Sequence, residues 1–436
     1  MSNRIGLRLE NKNVWERRVA LTPSDLGTLV DEGLDVCVQR FKRRAFADEL
    51  YEQAGAVLTD SVSDCDLVLG IKEMPMEEFR EGGAYMFFSH TIKGQPYNMK
   101  MLADLVEKKC TLLDYELVTD EQGRRIIFFG RFAGLAGMID TLWTLGLRLK
   151  ELGSETPFAA LHPAHEYTDL DDAKAHVVSL GARLTKEGVP KSIAPLVIGV
   201  TGYGNVSKGA QEIAELLPHV RVAPDDLASF VENNKGMTDK VVIVEYKEQD
   251  LVEPVDLTAS FDLQHYYSNG AAYKSKFEPH LKLVSVLING IYWDEQYPKL
   301  ADSEQLKTLF ADGASPRLLT VGDITCDVDG SLACTLRDTG PGDPHYVYNP
   351  QTRETPSGVS GPGLAVMAVG NLPCELPREA SSTFSEALTP FMLQIAKADL
   401  RSTFENTNLP APIKRSVILW NGEFTPEYEY MKDYLR

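Results

Sequence analysis

Two apolar runs in the first hundred residues end on a titratable side chain. Asp66–Ile71 (DLVLGI) is followed by Lys72, and Ala84–Ser89 (AYMFFS) by His90. Continuous apolar runs of this length predict buried strands. In parallel α/β sheets, ligands collect at the carboxyl ends of strands. Two groups placed there that titrate near neutrality would form an acid–base pair: histidine does so unaided, and partial desolvation brings a lysine down towards it. A capping histidine and a solvated lysine are the alternative. Cations recur in the same half, at Arg17, Arg18, Lys93, Arg124 and Arg125, each beside a predicted strand end or turn. A substrate with several carboxylates needs such groups, although each one alone is also an ordinary surface charge. Asp114 and Glu116, at a further strand end, are of the type that holds a substrate ammonium, with surface solvation the alternative for either.

A second kind of chemistry is suggested by Gly202-Tyr203-Gly204-Asn205-Val206-Ser207, which follows the strand pattern LVIGVT and opens the helix pattern VSKGAQEIAELL. A dinucleotide-binding turn requires that context. The first glycine permits the tight turn, and the second lets backbone approach a pyrophosphate at the helix N-terminus, where free amides and the helix dipole favour anions. The third position is Ser207 rather than glycine, so the fingerprint is imperfect, and a purely structural turn is the alternative. Asn289 and Gly290, where the predicted strand Leu283–Asn289 ends, belong to the same predicted cofactor site. An NAD site usually carries an acid at the end of its second strand for the ribose hydroxyls. Here the run VRVAP ends on Ala223-Pro224 beside Arg221, which points to NADPH; Asp225 and Asp226 follow closely and keep NADH open.

These residues need a scaffold of alternating strands and helices. Strands are predicted at 4–9, 35–39, 66–71, 84–89, 110–114 and 125–129, with helices from Thr22-Pro23-Ser24 onward, at 48–54 and at 98–109. Residues 132–152 form one long apolar helix, about 30 Å at 1.5 Å per residue and long enough to bridge two domains. A polar helix follows at 169–180. Further strands are predicted at 196–201, 220–223, 241–245, 283–289 and 318–323, a helix at 205–217, a loop over 335–361 and an amphipathic helix at 383–400. The alternation is that of parallel sheets flanked by helices.

The bulk numbers exclude several classes. The 436 residues are 43% hydrophobic and 25% charged, as in ordinary globular chains, with room for two or three domains. The formal charge of −19 is spread without single-sign blocks, so no nucleic-acid footprint is expected. The nearest basic cluster, Arg40, Lys42, Arg43 and Arg44, reads as a solvated turn. The six cysteines form no Cys-x-x-Cys pair and stand at no zinc spacing, so no metal site and a reducing, cytoplasmic compartment are expected. The N-terminus lacks a signal-peptide core, and no run of about 18 apolar residues predicts a membrane span.

Taken together, ENKNVWERRVALTPSDL, GIKEMP, FFSHTIKGQ, DYELVTDEQGRR and FGRFAGLAGM, with PKSIAPLVIGVTGYGNVSKGAQEI, VLINGIYWDEQYPKL, VGDITCDVDGS and VGNLPCELPREAS, resemble lysine–2-oxoglutarate reductase, the NADP-linked, lysine-forming saccharopine dehydrogenase activity. The resemblance runs from about residue 4 to the C-terminus. GIKEMP also resembles the fungal NAD-linked enzyme, and both belong to the alanine dehydrogenase/transhydrogenase-like fold group. The resemblance implies an α/β protein of two Rossmann-like domains with the active site in the cleft between them. The expected boundaries are a substrate domain at 1–135 completed by 331–436, an inter-domain helix and linker at 136–190, and a dinucleotide domain at 191–330. It implies Lys72 and His90 as the acid–base pair and Arg18, Lys93 and Arg125 as carboxylate binders. Glu73 and Glu116 would tune the lysine or hold substrate amine, with Asp323, and Asp327 near it, where the domains meet. It further implies L-lysine, 2-oxoglutarate and saccharopine as the small molecules handled, and a saccharopine-cleaving dehydrogenase as a pathway partner. The chain stops at Arg436, so a monofunctional protein is expected. The competing readings are an NAD-linked, lysine-forming saccharopine dehydrogenase or a related amino-acid dehydrogenase of the same fold, and a non-catalytic nucleotide-binding regulator.

Overall fold

The computed structural model describes residues 3–311 and 316–435. Along the chain run β1 (Ile5–Leu7), β2 (Val36–Gln39), β3 (Val57–Thr59), β4 (Leu67–Leu69), β5 (Ala84–Phe87) and β6 (Thr111–Asp114). They are followed by β7 (Leu196–Thr201), β8 (His219–Arg221), β9 (Val241–Tyr246), β10 (Val252–Pro254), β11 (Tyr273–Ser275), β12 (Val286–Asn289) and β13 (Thr320–Asp323). The last are β14 (His345–Tyr348), β15 (Leu364–Met367), β16 (Val417–Trp420) and β17 (Glu423–Phe424). The chain forms two compact units: the described residues up to Phe129 with those from Pro377 on, and the segment Gly130–Leu376. The fold is α/β, with two largely parallel sheets flanked by helices, as the alternation predicts.

The first unit holds an eight-stranded sheet in the order β17-β16-β6-β5-β4-β1-β2-β3. β1 to β6 are parallel, and β16 and β17 add an antiparallel edge. Both faces of its centre are buried. Leu67, Leu69 and Met86 join a core with Leu26, Leu29, Phe384, Leu388 and Met392, while Val68, Tyr85 and Phe87 pack with Met101, Leu102 and Leu105. Two-sided burial is why these strands read as unbroken apolar runs. Helix Pro23–Asp31 starts where the sequence puts it: the Thr22 hydroxyl accepts from the Asp25 amide and Pro23 occupies the first turn. The late helix Pro377–Lys397 is tied to this region, with Ser381 and Ser385 hydroxyls accepting from the Val19 and Thr22 amides at 3.0 and 2.9 Å.

The second unit holds a seven-stranded sheet in the order β14-β15-β13-β12-β7-β9-β8. All are parallel except β14, which pairs antiparallel with β15. The apolar helix Gly130–Glu151 lies wholly in this unit, so it is a core helix rather than the bridge expected at 136–190. Its small residues explain the placement. A Cβ on Gly134 would stand 1.9 Å from the Val206 carbonyl oxygen, and one on Gly209 would stand 2.1 Å from that of Arg131. Only glycine lets this helix cross Asn205–Ala214 so closely.

Three further expectations are corrected. Residues 331–376 complete the second unit rather than the first, because β14 and β15 extend its sheet; the return to the first unit comes at Pro377. The stretch 335–361 contains the buried strand HYVY, masked in sequence by its glycine- and proline-rich flanks. Residues 125–129 form no strand, and Arg125 makes only an isolated bridge to Thr119. All six cysteines are free thiols. Among the described residues, no helix is long and apolar enough to cross a membrane.

Candidate active site

In the first unit, β4, β5 and β6 are neighbours, and their carboxyl ends run on into Lys72-Glu73, Ser89-His90 and Asp114-Tyr115-Glu116. Pairing continues past the strands, with the Gly70 amide donating to Met86 O and Phe88 to Ile71 O, both at 3.0 Å. His90 has a φ of +49°, a left-handed backbone that non-glycine residues adopt at a cost of roughly 1 kcal/mol and that clusters at functional sites.

Glu73 organises the site. One oxygen meets His90 Nδ1 at 2.7 Å, and the other accepts from the Lys12 ammonium at 2.6 Å. A carboxylate only accepts, so Nδ1 carries the proton and, in the neutral ring, Nε2 is the basic nitrogen. Burial alone would raise the Glu73 carboxyl, but the hydrogen bonds and charges of His90 and Lys12 more than reverse this and hold it far below the ordinary range. The Asn98 amide donates to Ser89 O at 2.8 Å and reaches Glu73 at 3.4 Å.

Lys72 is partly buried. Desolvation, with the charge of Arg18, brings its ammonium down to about 8 against the opposing pull of Glu73 and Glu16. Its backbone is fixed by the buried Glu10, whose carboxylate accepts from the Ile71 and Lys72 amides at 2.7 and 3.2 Å. Burial pushes Glu10 up to about 7 although Arg8 pulls the other way. Burial likewise raises Asp114 to about 6; it takes the Ser89 amide and hydroxyl and the Glu116 amide. Asp114 therefore braces two strand ends and is not presented to solvent.

The cations divide. Arg18 is buried, grips Glu16 through two bonds of 2.8 and 2.6 Å, and stands 4.3 Å over the Phe129 ring. Arg125 is half-exposed and paired with Glu116. Lys93 is exposed in the turn after His90. Arg17 bonds to Arg43 O and Arg124 to Asp120, both on the surface. Glu10, Lys12, Glu16 and Asn98 are additions that the sequence reading lacked. Glu10 was findable by the strand-end rule, since it follows β1, the neighbour of β4.

In the second unit the glycine turn sits as predicted between β7 and helix Asn205–Ala214. Gly202 has a φ of +81°, and its amide donates to Tyr246 O at 2.8 Å. Gly204 caps the helix without a side chain, and a Cβ there would meet nothing within 4 Å. Asn205 and Tyr203 are exposed and Val206 is half-buried. Ser207, in place of the third glycine, is buried and donates to Thr201 O at 2.7 Å, closing the strand end. A cavity of about 280 Å³ opens beside the turn, lined by Gly202, Gly204, Gly290, Glu248, Tyr267 and Tyr292 among others. Open space beyond Gly204, uncapped amides and an aromatic cavity fit a dinucleotide.

Three predicted residues are engaged by side chains of their own unit. Asn289 is fully buried; its amide donates to Asp323, Thr325 and Ser331, and its oxygen accepts from Thr201. Asp323 is buried and accepts also from Thr325, Thr335 and the Cys326 amide. Both therefore knot together the ends of β7, β12 and β13 rather than facing a ligand. Arg221 is held by Glu215 and by Gln211 at 2.9 Å.

Residues 6–136 match the alanine dehydrogenase/PNT N-terminal domain. Saccharopine dehydrogenase [NAD(+), L-lysine-forming] of Emericella nidulans is 30% identical over 90% of this chain and 92% of its own length. The chain belongs to the saccharopine dehydrogenase family. Within the wider family, the α-aminoadipic semialdehyde synthase of Arabidopsis thaliana is 38% identical over 98% of this chain, and the chain spans 41% of that protein's length. An L-alanine dehydrogenase structure aligns over 99% of the chain with a TM-score of 0.62 at 18% identity, which shows the shared fold.

Proposed function

We propose that the chain is a nicotinamide-dependent oxidoreductase that joins the ε-amine of L-lysine to 2-oxoglutarate and reduces the product to saccharopine. The observation that carries this reading is the Lys12–Glu73–His90 chain beside a lysine brought down to about 8, at neighbouring strand ends. Its relatives named for saccharopine and aminoadipic semialdehyde support the same reaction.

The residue types suit the steps. His90 Nε2, with Nδ1–H held by Glu73, takes the proton that the substrate ammonium must lose before it attacks the ketone carbon. The resulting carbinolamine carries a hydroxyl that leaves as water, and the Lys72 ammonium is the acid that protonates it. When bound at the Gly202–Ser207 turn, the nicotinamide supplies the hydride that reduces the imine. Lys93 and Arg125 are the cations proposed for the carboxylates of saccharopine. Arg18, whose guanidinium Glu16 occupies, would act through its charge on Lys72. A saccharopine-cleaving dehydrogenase would consume the product.

NADPH was the expected cofactor on the strength of Ala223 and Arg221. Arg221 is half-exposed and paired with Glu215 and Gln211, and NADH is the alternative cofactor. The test is dinucleotide oxidation followed by the loss of reduced-nicotinamide absorbance. It should require lysine and 2-oxoglutarate together; oxidation with a different amino acid and no lysine would replace this reading with that of a related dehydrogenase, and no oxidation at all with a non-catalytic one.

A further inference from the structure

We propose that Glu248 reads the adenosine ribose of the dinucleotide and sets the balance between a 2′-hydroxyl and a 2′-phosphate. The inference rests on the nucleotide lying at the Gly202–Ser207 turn. In dinucleotide folds the ribose reader stands at the end of the strand beside the one that leads into the glycine turn. By sequence order that strand is β8. By sheet order it is β9, because β8 lies outside β9 at the sheet edge.

The register makes the difference large. Tyr246 ends β9 level with Thr201, the last residue of β7, and the Gly202 amide bonds to its carbonyl. Lys247 and Glu248 therefore leave the sheet directly beside the turn. Arg221 is paired with Ile243, which is level with Ile198, three residues short of the end of β7. At about 4.8 Å per strand and 3.3 Å per residue, its backbone lies roughly 10 Å sideways and 10 Å back from the turn.

The side chains agree. Glu248 lines the cavity with Gly202 and Gly204, and its Oε1 accepts from the Tyr267 hydroxyl at 2.7 Å, which orients the carboxylate. A carboxylate accepts bonds from ribose hydroxyls and repels a phosphate. The Lys247 ammonium stands 5.8 Å from the centre of the Tyr203 ring, a nearby positive charge that also weighs on the absolute preference. The decisive quantity is therefore the change in preference when the carboxylate is removed.

The experiment is calorimetric titration of the full chain with NADH and with NADPH, for the parent and for Glu248→Gln, Arg221→Ala and Gly204→Val. Glu248→Gln should move the affinity ratio towards NADPH by about tenfold or more, since a like charge is removed from beside the phosphate. Arg221→Ala should leave the ratio where it was. The proposal is overturned if Gly204→Val weakens both dinucleotides while Glu248→Gln leaves their ratio unchanged, or if Arg221→Ala moves the ratio instead. If Gly204→Val weakens neither, the placing of the nucleotide has failed and this inference with it.

Discussion

The two units use the same part of the same kind of sheet in opposite ways. At the ends of β4, β5 and β6, the first unit gathers charges: Lys72, Glu73 and His90, with Lys12 and the buried pair Arg18–Glu16 around them. At the ends of β7, β12 and β13, the second unit uses backbone, neutral amides and hydroxyls around one buried carboxylate, with an open glycine turn beside them. Burial in the first region shifts protonation, which proton transfer needs. In the second, a network whose hydrogen bonds are made internally holds the strand ends rigid while the turn offers amides to an anion. A parallel sheet thus prepares a place at its strand ends, and side-chain chemistry decides whether the place reacts or binds.

The sharpest way to break this comparison is to disable one region and watch the other. Lys72→Met and His90→Gln should each lower turnover by roughly 10²–10⁴, the usual weight of general acid–base catalysis. Dinucleotide affinity measured by calorimetry should stay at the parent value in both. The double variant should lose less than the product of the single losses, since the groups act as one unit. Near-parent turnover in both single variants would remove the first region from the chemistry.

Conversely, Gly204→Val should weaken dinucleotide binding by about tenfold, or 1.4 kcal/mol, with the fold intact. The side chain enters open space and the glycine φ of −75° tolerates valine. Unaltered affinity would mean that the turn is only structural.

The smallest expected effect concerns stability. A lysine lowered from 10.5 to about 8 binds its proton less readily folded than unfolded. Its penalty is therefore full below pH 8 and disappears as pH rises past 10.5, since between those values the unfolded chain holds more protons. Lys72→Met should accordingly be the more stable protein at pH 7, by about 1 kcal/mol once partial exposure is discounted. The gap measured by urea unfolding should narrow towards pH 10. A less stable variant at pH 7 would show that the ammonium is better solvated than its surroundings indicate.

How much was legible follows from where each signal lies. The strand ends that carry Lys72 and His90 were legible because strands buried on both faces are written as unbroken apolar runs, and the first polar residue marks the end. Thr22 and the Gly202 turn were legible because caps and tight turns demand particular residues locally. The neighbours that tune the site were not: Lys12 reaches Glu73 across 61 positions and Asn98 across 25, and no local pattern encodes such pairs. Strand order was equally hidden: β8, whose Arg221 points to NADPH, lies outside β9 at the sheet edge rather than beside β7. The strand HYVY was concealed by its flanks, and the long helix was misread as a bridge because its glycines state close packing without naming the partner.

The proposed chemistry turns on Lys72 donating a proton from a site that holds it at about 8. The direct measurement is kcat/KM for lysine-dependent reduction across pH 6–10 in the parent and in Lys72→Met, with dinucleotide saturation verified at each pH. The parent should fall off on the alkaline side with a midpoint near 8, as the ammonium is lost, and the variant should be slower and lack that limb. An alkaline limb that persists unchanged in Lys72→Met would contradict the assignment.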